Sequence, residues 1–122
     1  MLGMDTITLS CGSIFNHAHG PQRDLIPVQF QGECLGKAKQ FLDQGDDRYF
    51  EWELYKDESG NYWLYNCYVS HWQNEERSYE LEPVQLEDFQ RDGDRADLGR
   101  KLGLWEIPLS PQEYLEYREK KA

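Results

Sequence analysis

Three histidines occur in the chain, and two of them, His17 and His19, flank a single alanine. In an extended segment alternate side chains point the same way, so this pair offers two imidazoles to one metal ion. A third ligand would come from Cys67 or His71, which share a strand face roughly 13 Å apart, so that one can join the pair but hardly both. The spacing matches neither a zinc finger nor a His-Glu-x-x-His helix. The plainer reading is two exposed or capping histidines in a loop bounded by Gly12 and by Gly20-Pro21. A small metal-binding protein or metal-dependent enzyme built on His17, His19, Cys67 and His71 is therefore an alternative, not the first expectation.

Glu51 and Glu53 form a second constellation. Two carboxylates at i and i+2 of a strand lie roughly 6.5–7 Å apart along the backbone, a separation that overlaps that of inverting glycosidases. Tyr49 and Tyr55 beside them could stack on sugar faces. Charge alternating with aromatic residues is also the ordinary look of a solvated sheet face, and nothing in the sequence raises the pKa of one acid. Cys11 or Cys67 could meet a histidine, but no local sequence activates a thiol. Residues 32–37 lack the spacing of a phosphate loop. Catalysis thus has no strong signature, and nothing calls for a cofactor.

The charge speaks for a partner instead. The chain has 122 residues, 23 acids and 13 bases, for a net charge of −10. All of the excess lies between residues 43 and 97, in an acidic segment at 43–60 and another at 75–97. Between them lies 61–74, which holds no acid or base and is rich in aromatics. A field of that sign repels phosphate, which disfavours direct binding to nucleic acid or an anionic membrane. It attracts a basic surface, and Tyr and Trp are common anchors at protein interfaces. The first expectation is a non-catalytic protein-interaction module, an inhibitor or adaptor for a basic protein partner. Its contact residues are Tyr49, Glu51, Glu53, Tyr55, Tyr62, Tyr65, Glu75, Glu76, Glu80, Glu82, Glu87 and Asp88. Nucleic-acid mimicry is a special case, with Asp92, Asp94 and Asp97 adding to the spaced charges. An aromatic face of this kind also permits a homodimer.

These residues must be positioned by short elements in one domain, 1–122. Thr6-Ile7-Thr8-Leu9 alternates as a short strand, 11–23 reads as a loop, and Ile26, Val28 and Phe30 share the face of a second strand. Pro27 places that strand at an edge or start. Residues 33–43 fit strand or helix, with strand slightly preferred. The clearest element is a hairpin. Phe50, Trp52 and Leu54 fall on a core face of 48–56, a loop follows at 57–61, and 62–72 returns as a strand bulky on both faces. Residues 78–84 add a third strand. Leu86 and Phe89 begin a helical stretch, Asp94 caps a short helix closed by Gly103, and Ser110 with Glu113 forms a capping box. The fold expected is α+β: an antiparallel sheet of about four to five strands around the aromatic hairpin, packed by C-terminal helices. The start, Met1-Leu2-Gly3-Met4-Asp5, has neither a basic segment nor an apolar core, which predicts a cytoplasmic protein with Cys11, Cys34 and Cys67 as reduced thiols.

Overall fold

The alternation over 48–56 becomes one arm of a hairpin. In the computed structural model, β3 (Arg48–Asp57) runs antiparallel to β4 (Tyr62–Ser70), with Leu54 opposite Leu64 and Tyr55 opposite Trp63. Asp57 closes the hairpin: its carboxylate accepts the Trp63 indole N–H and the backbone N–H groups of Ser59 and Asn61, each at 2.9 Å. Those donors, the indole first, hold the Asp57 carboxyl below the usual carboxylate range. β5 (Glu76–Val84) pairs with the far side of β4. The structure describes residues 4–42, 44–45 and 47–121. Met1, Leu2, Gly3, Asp43, Asp46, Ala122 and the side chain of Lys121 lie outside the described residues, and with them the chain start and two acids of the 43–60 segment.

The remaining strands overturn the α+β expectation. β1 (Asp5–His17) and β2 (Gly20–Phe41) form one long ribbon, and β1 returns to β5, closing an antiparallel barrel in the order β1-β2-β3-β4-β5. The expected loop at 11–23 is instead the end of this ribbon, paired without a break down to His17 opposite Gly20. Gly12 read as a loop residue, but its φ of +134° lets the ribbon approach closely, and an added Cβ would overlap the Asp24 carbonyl. The preference for strand over 33–41 is met. β2 is long enough to serve two neighbours, pairing with β1 up to Gly32 and with β3 from Gly32 onward. A bulge between Cys34 and Gly36 bends it inside the ladder with β3, and Gly36 lies where a Cβ would run into the Leu102 carbonyl. Pro27 falls in the half of β2 that pairs with β1 alone, which is the edge expected of it.

Closure gives the sheet two buried faces. Inside the barrel, Leu9, Tyr55, Tyr65, Cys67 and Val69 pack with Ile7, Phe30, Trp63, Tyr79 and Leu81, drawing on all five strands. Outside it, Leu54 and Leu64 are covered by Phe89 of a 3₁₀ turn (Leu86–Phe89) and by Leu102, which follows α1 (Ala96–Lys101). Asp94 does not cap α1. Arg95 takes that place without a side-chain bond, while Gly103 and Leu104 close the helix by donating to the Arg100 and Gly99 carbonyls. The Ser110–Glu113 capping box forms as expected at the start of α2 (Pro111–Lys121). Most of α2 is nevertheless exposed, and it is tied to α1 through Tyr117, which bonds Arg100 and Asp97. The helices therefore cap one flank of a barrel and do not form the second layer of an open sheet. Among the described residues no helix is long and apolar enough to cross a membrane.

Candidate functional site

The barrel is closed unevenly. The ladder between β1 and β5 consists of four residue pairs, 12–15 against 76–79, whereas β1 and β2 are paired over their whole shared length. Past Gly12 and Tyr79 the two edges part, and a groove of about 650 Å³ runs beside the ladder and just beyond its end, lined by Cys11, Gly12, Ser13 and Val28 and by residues 76 and 78–82 of β5. Where the ladder stops, a side chain takes over: the Tyr65 hydroxyl donates to the Ser10 carbonyl at 2.5 Å. Pro27, the register partner of Ser10, has no N–H to offer that carbonyl. Burial pushes the Tyr65 phenol well above its ordinary pKa, so it remains a donor.

The acids of 75–97 line the same flank. Glu76, Glu80 and Glu82 alternate with Tyr79 and Leu81 on β5, so they face outward while the apolar residues face the core. Glu82 accepts from Asn66 and Arg95, each at 2.7 Å, and the arginine chiefly holds its carboxyl below the usual range. Glu76 and Glu80 have no ion-pair or side-chain hydrogen-bond partner among the described residues. Further along, Glu87, Asp88, Asp92 and Asp94 line a second cleft of about 680 Å³ together with Trp105 and Ile107, the latter 73% exposed. Glu75 is spent on structure. It accepts from Ser70 Oγ at 2.5 Å and lies 3.8 Å from Arg48, beside the Asn16 amide that donates to the Ser70 and Trp72 carbonyls.

Closure corrects the assignment of the tyrosines. Tyr55 and Tyr65 retain 5% and 8% of their exposure, because the face of β3 and β4 expected to meet a partner is the inside of the barrel. Glu51, Glu53 and Tyr49 share that inner face where it opens, and Tyr62 lies on the outer one. Glu53 accepts from the Tyr55 hydroxyl and lies 3.9 Å from Lys37 Nζ, so one carboxylate of the supposed pair is already engaged. Phe50, expected in the core beside Trp52 and Leu54, is 37% exposed.

The histidines do not converge. His17 is the last residue of β1, its Nε2 is 2.9 Å from Gln22 Oε1, and its ring packs on Phe15. His19 lies in the two-residue turn that follows, which breaks the extended spacing that would have aligned the rings. His71 follows β4 and packs near Tyr49. Cys67 is inside the barrel, where burial pushes its thiol up to about 12, a protonated and poor ligand. Among the described residues no three His, Cys, Asp or Glu side chains come together to hold a metal ion.

Two features were not read from the sequence. Strand register carries Lys39 to within 4.0 Å of the Tyr49 ring, beside Phe41, and Arg48 to within 3.9 Å of the Trp72 ring. The aromatic end of the barrel thus has cations that the local composition of 49–72 does not show. The open seam depends on where one ladder stops, which no residue type announces. Comparison of the chain with family models, with curated proteins and with solved structures finds no match.

Proposed function

We propose that the protein is a non-catalytic interaction module that receives a basic protein partner along its acid-walled flank, from β5 to the turn before α1. One observation carries this reading: the two large clefts on that flank are both lined by carboxylates together with apolar residues. Carboxylates at a rim steer a cationic partner, while Leu81, Trp105 and Ile107 provide desolvated contact once it arrives. A steered complex of this kind weakens steeply with salt, because the screening length falls from about 10 Å at 0.1 M to about 3 Å at 1 M.

The test is capture from native-host lysate on immobilised full-length protein, in parallel with the variant Glu76→Gln/Glu80→Gln/Glu87→Gln/Asp88→Asn. Basic proteins retained at low salt by the wild type, released at high salt and lost with the variant are the expected result. Equal capture by both proteins would remove the acidic flank from the reading. Added DNA that displaces the same partner would identify the partner as a nucleic-acid binder, and the carboxylates as stand-ins for phosphates.

The ring–cation pairs favour a second reading. Lys39 over Tyr49 and Arg48 over Trp72 are the elements with which single-stranded nucleic acid is stacked and neutralised. The net charge of −10 opposes it. Binding of a labelled oligouridine at low salt, lost in Lys39→Ala and retained in the acidic-flank variant, would replace the first reading with this one.

A further inference from the structure

We infer that α2 is a displaceable strap, which lifts on the segment before it and whose basic end competes with a basic partner for the cleft at Trp105. The competition rests on the acidic-flank reading, whereas the lifting stands apart from it. Of residues 111–120 only Tyr117 is as much as half-buried, so the helix leaves the body without exposing a core. Eleven residues also fall short of the length at which a helix is stable alone in water, so α2 unwinds as it lifts. Between Trp105 and the helix, residues 106–108 are exposed and belong to no helix or strand, which provides the hinge. Trp105 stays behind, because its indole N–H donates to the Phe89 carbonyl at 3.1 Å.

The strap is latched at two points near solvent. Glu113 lies 2.9 Å from Arg91, and the Tyr117 hydroxyl accepts from Arg100 and donates to Asp97, each at 3.0 Å, while its ring meets that of Trp105 edge-on at 5.3 Å. Ion pairs this exposed add little net stability, and less in salt. The fit beneath is loose: a gap of about 90 Å³ is lined from the body by Arg91, Asp92 and Trp105, and from α2 by Glu113, Tyr117 and Lys120. Close-packed interiors leave few such spaces, so the helix forgoes contacts that a rigid dock would make. Arg91 Nη2 is buried without a hydrogen-bond partner among the described residues, a cost that lifting removes by admitting water. Arg91, Asp92 and Trp105 also line the cleft of about 680 Å³, so lifting α2 joins the gap to that cleft. Lys120 and Asp92 share the lining of the gap, so the closed strap already brings a cation to an acid that the acidic-flank reading gives to a partner.

The experiment compares the full-length protein with Glu113→Gln/Tyr117→Phe, which weakens both latches but keeps the capping box and the ring on Trp105. Glu119→Gln, which removes one charge from α2 outside the latches, is the control. Amide hydrogen exchange follows residues 114–120 against 64–68 of β4, which are paired on both sides, and titration calorimetry at low salt follows a capped heptalysine. Residues 114–120 are expected to exchange about a hundredfold faster than the β4 amides, and about tenfold faster again in the latch variant with β4 unchanged. Heptalysine is expected to bind the latch variant about fivefold tighter than the wild type, and to speed exchange over 114–120 of the wild type. Charge alone gives the reverse, since Glu113→Gln removes an acid, and Glu119→Gln measures that smaller loss. If 114–120 exchange as slowly as β4 in both the wild type and the latch variant, α2 is a fixed part of the fold and no strap exists. If they exchange fast but heptalysine binds the latch variant no tighter, the competition is wrong while the acidic-flank reading survives. If heptalysine binds neither protein, both fall.

Discussion

The two buried faces of the sheet are built from different chemistry. The outer layer joins Leu54, Leu64, Phe89 and Leu102, all apolar and all sealed between the sheet and the segment that carries the 3₁₀ turn and α1. The inner layer joins Leu9 and Val69 to Tyr55, Tyr65 and Cys67, whose hydroxyls and thiol have to be accommodated. Tyr55 donates to Glu53 and Tyr65 to Ser10, so the interior is wired to polar groups at its margins. One layer ends in a closed wall, whereas the other runs out into the seam groove. A sealed apolar layer resists change, because whatever is removed leaves a void. A layer that reaches an opening can relax or be filled from outside, which is what a binding edge requires. The outer layer is where stability is concentrated, and the inner layer is where stability gives way to access.

Phe89→Ala tests this contrast most severely. The ring is fully buried, and its loss should cost about 3–5 kcal/mol, seen as a large fall in the urea midpoint. Leu9→Ala removes an inner-layer side chain next to the parted edges and should cost about 2–3 kcal/mol, near the low end for such a change, because its surroundings can collapse. Equal losses in the two variants would mean that the seam is as tightly packed as the outer wall, and the contrast would be gone.

The sequence announced the outer layer better than the inner one. Leu54 was legible because the alternation over 48–56 is strict, and Phe89 because it lies three residues from Leu86 at helical spacing. The hairpin turn and the α2 capping box were equally plain, since both depend on residues close in sequence. Barrel closure was not. It depends on β2 reaching two neighbours and on β1 returning to β5 across more than sixty residues, and pairings at that distance leave no local period. Without closure, one face of β3 and β4 must face solvent, and that face carries Tyr55 and Tyr65. The same blindness hid the seam, whereas the acids that flank it were visible as a charge imbalance along the chain.

Smaller changes sharpen the contrast from each side. Tyr65→Phe keeps the inner ring and removes only the hydroxyl that the Ser10 carbonyl accepts. It should cost about 1 kcal/mol, with faster amide exchange near Ser10 and an unchanged outer layer. Uniformly faster exchange over both layers would show that the hydroxyl serves the whole fold and not the seam.

Glu82→Gln probes the other side, where Arg95 ties the segment before α1 back to β5. The Glu82 carboxyl titrates below its ordinary range in the folded chain, chiefly because of the Arg95 bond. Between its folded and unfolded pKa values the unfolded chain therefore binds more protons, so stability rises with pH there and is lost as pH falls through the folded value. Glutamine cannot titrate, so the variant should start slightly less stable at neutral pH and lose less on acidification, the two curves converging below the carboxylate range. The gap at neutral pH should be no more than about 1 kcal/mol, because Glu82 and Arg95 are 38% and 40% exposed and solvent screens them. Parallel curves from neutral pH down would show that the ion pair holds nothing, leaving the apolar contacts of Phe89 and Leu102 to fasten the outer layer. Convergence would show that acid loosens this layer from its rim by protonating Glu82 and releasing Arg95.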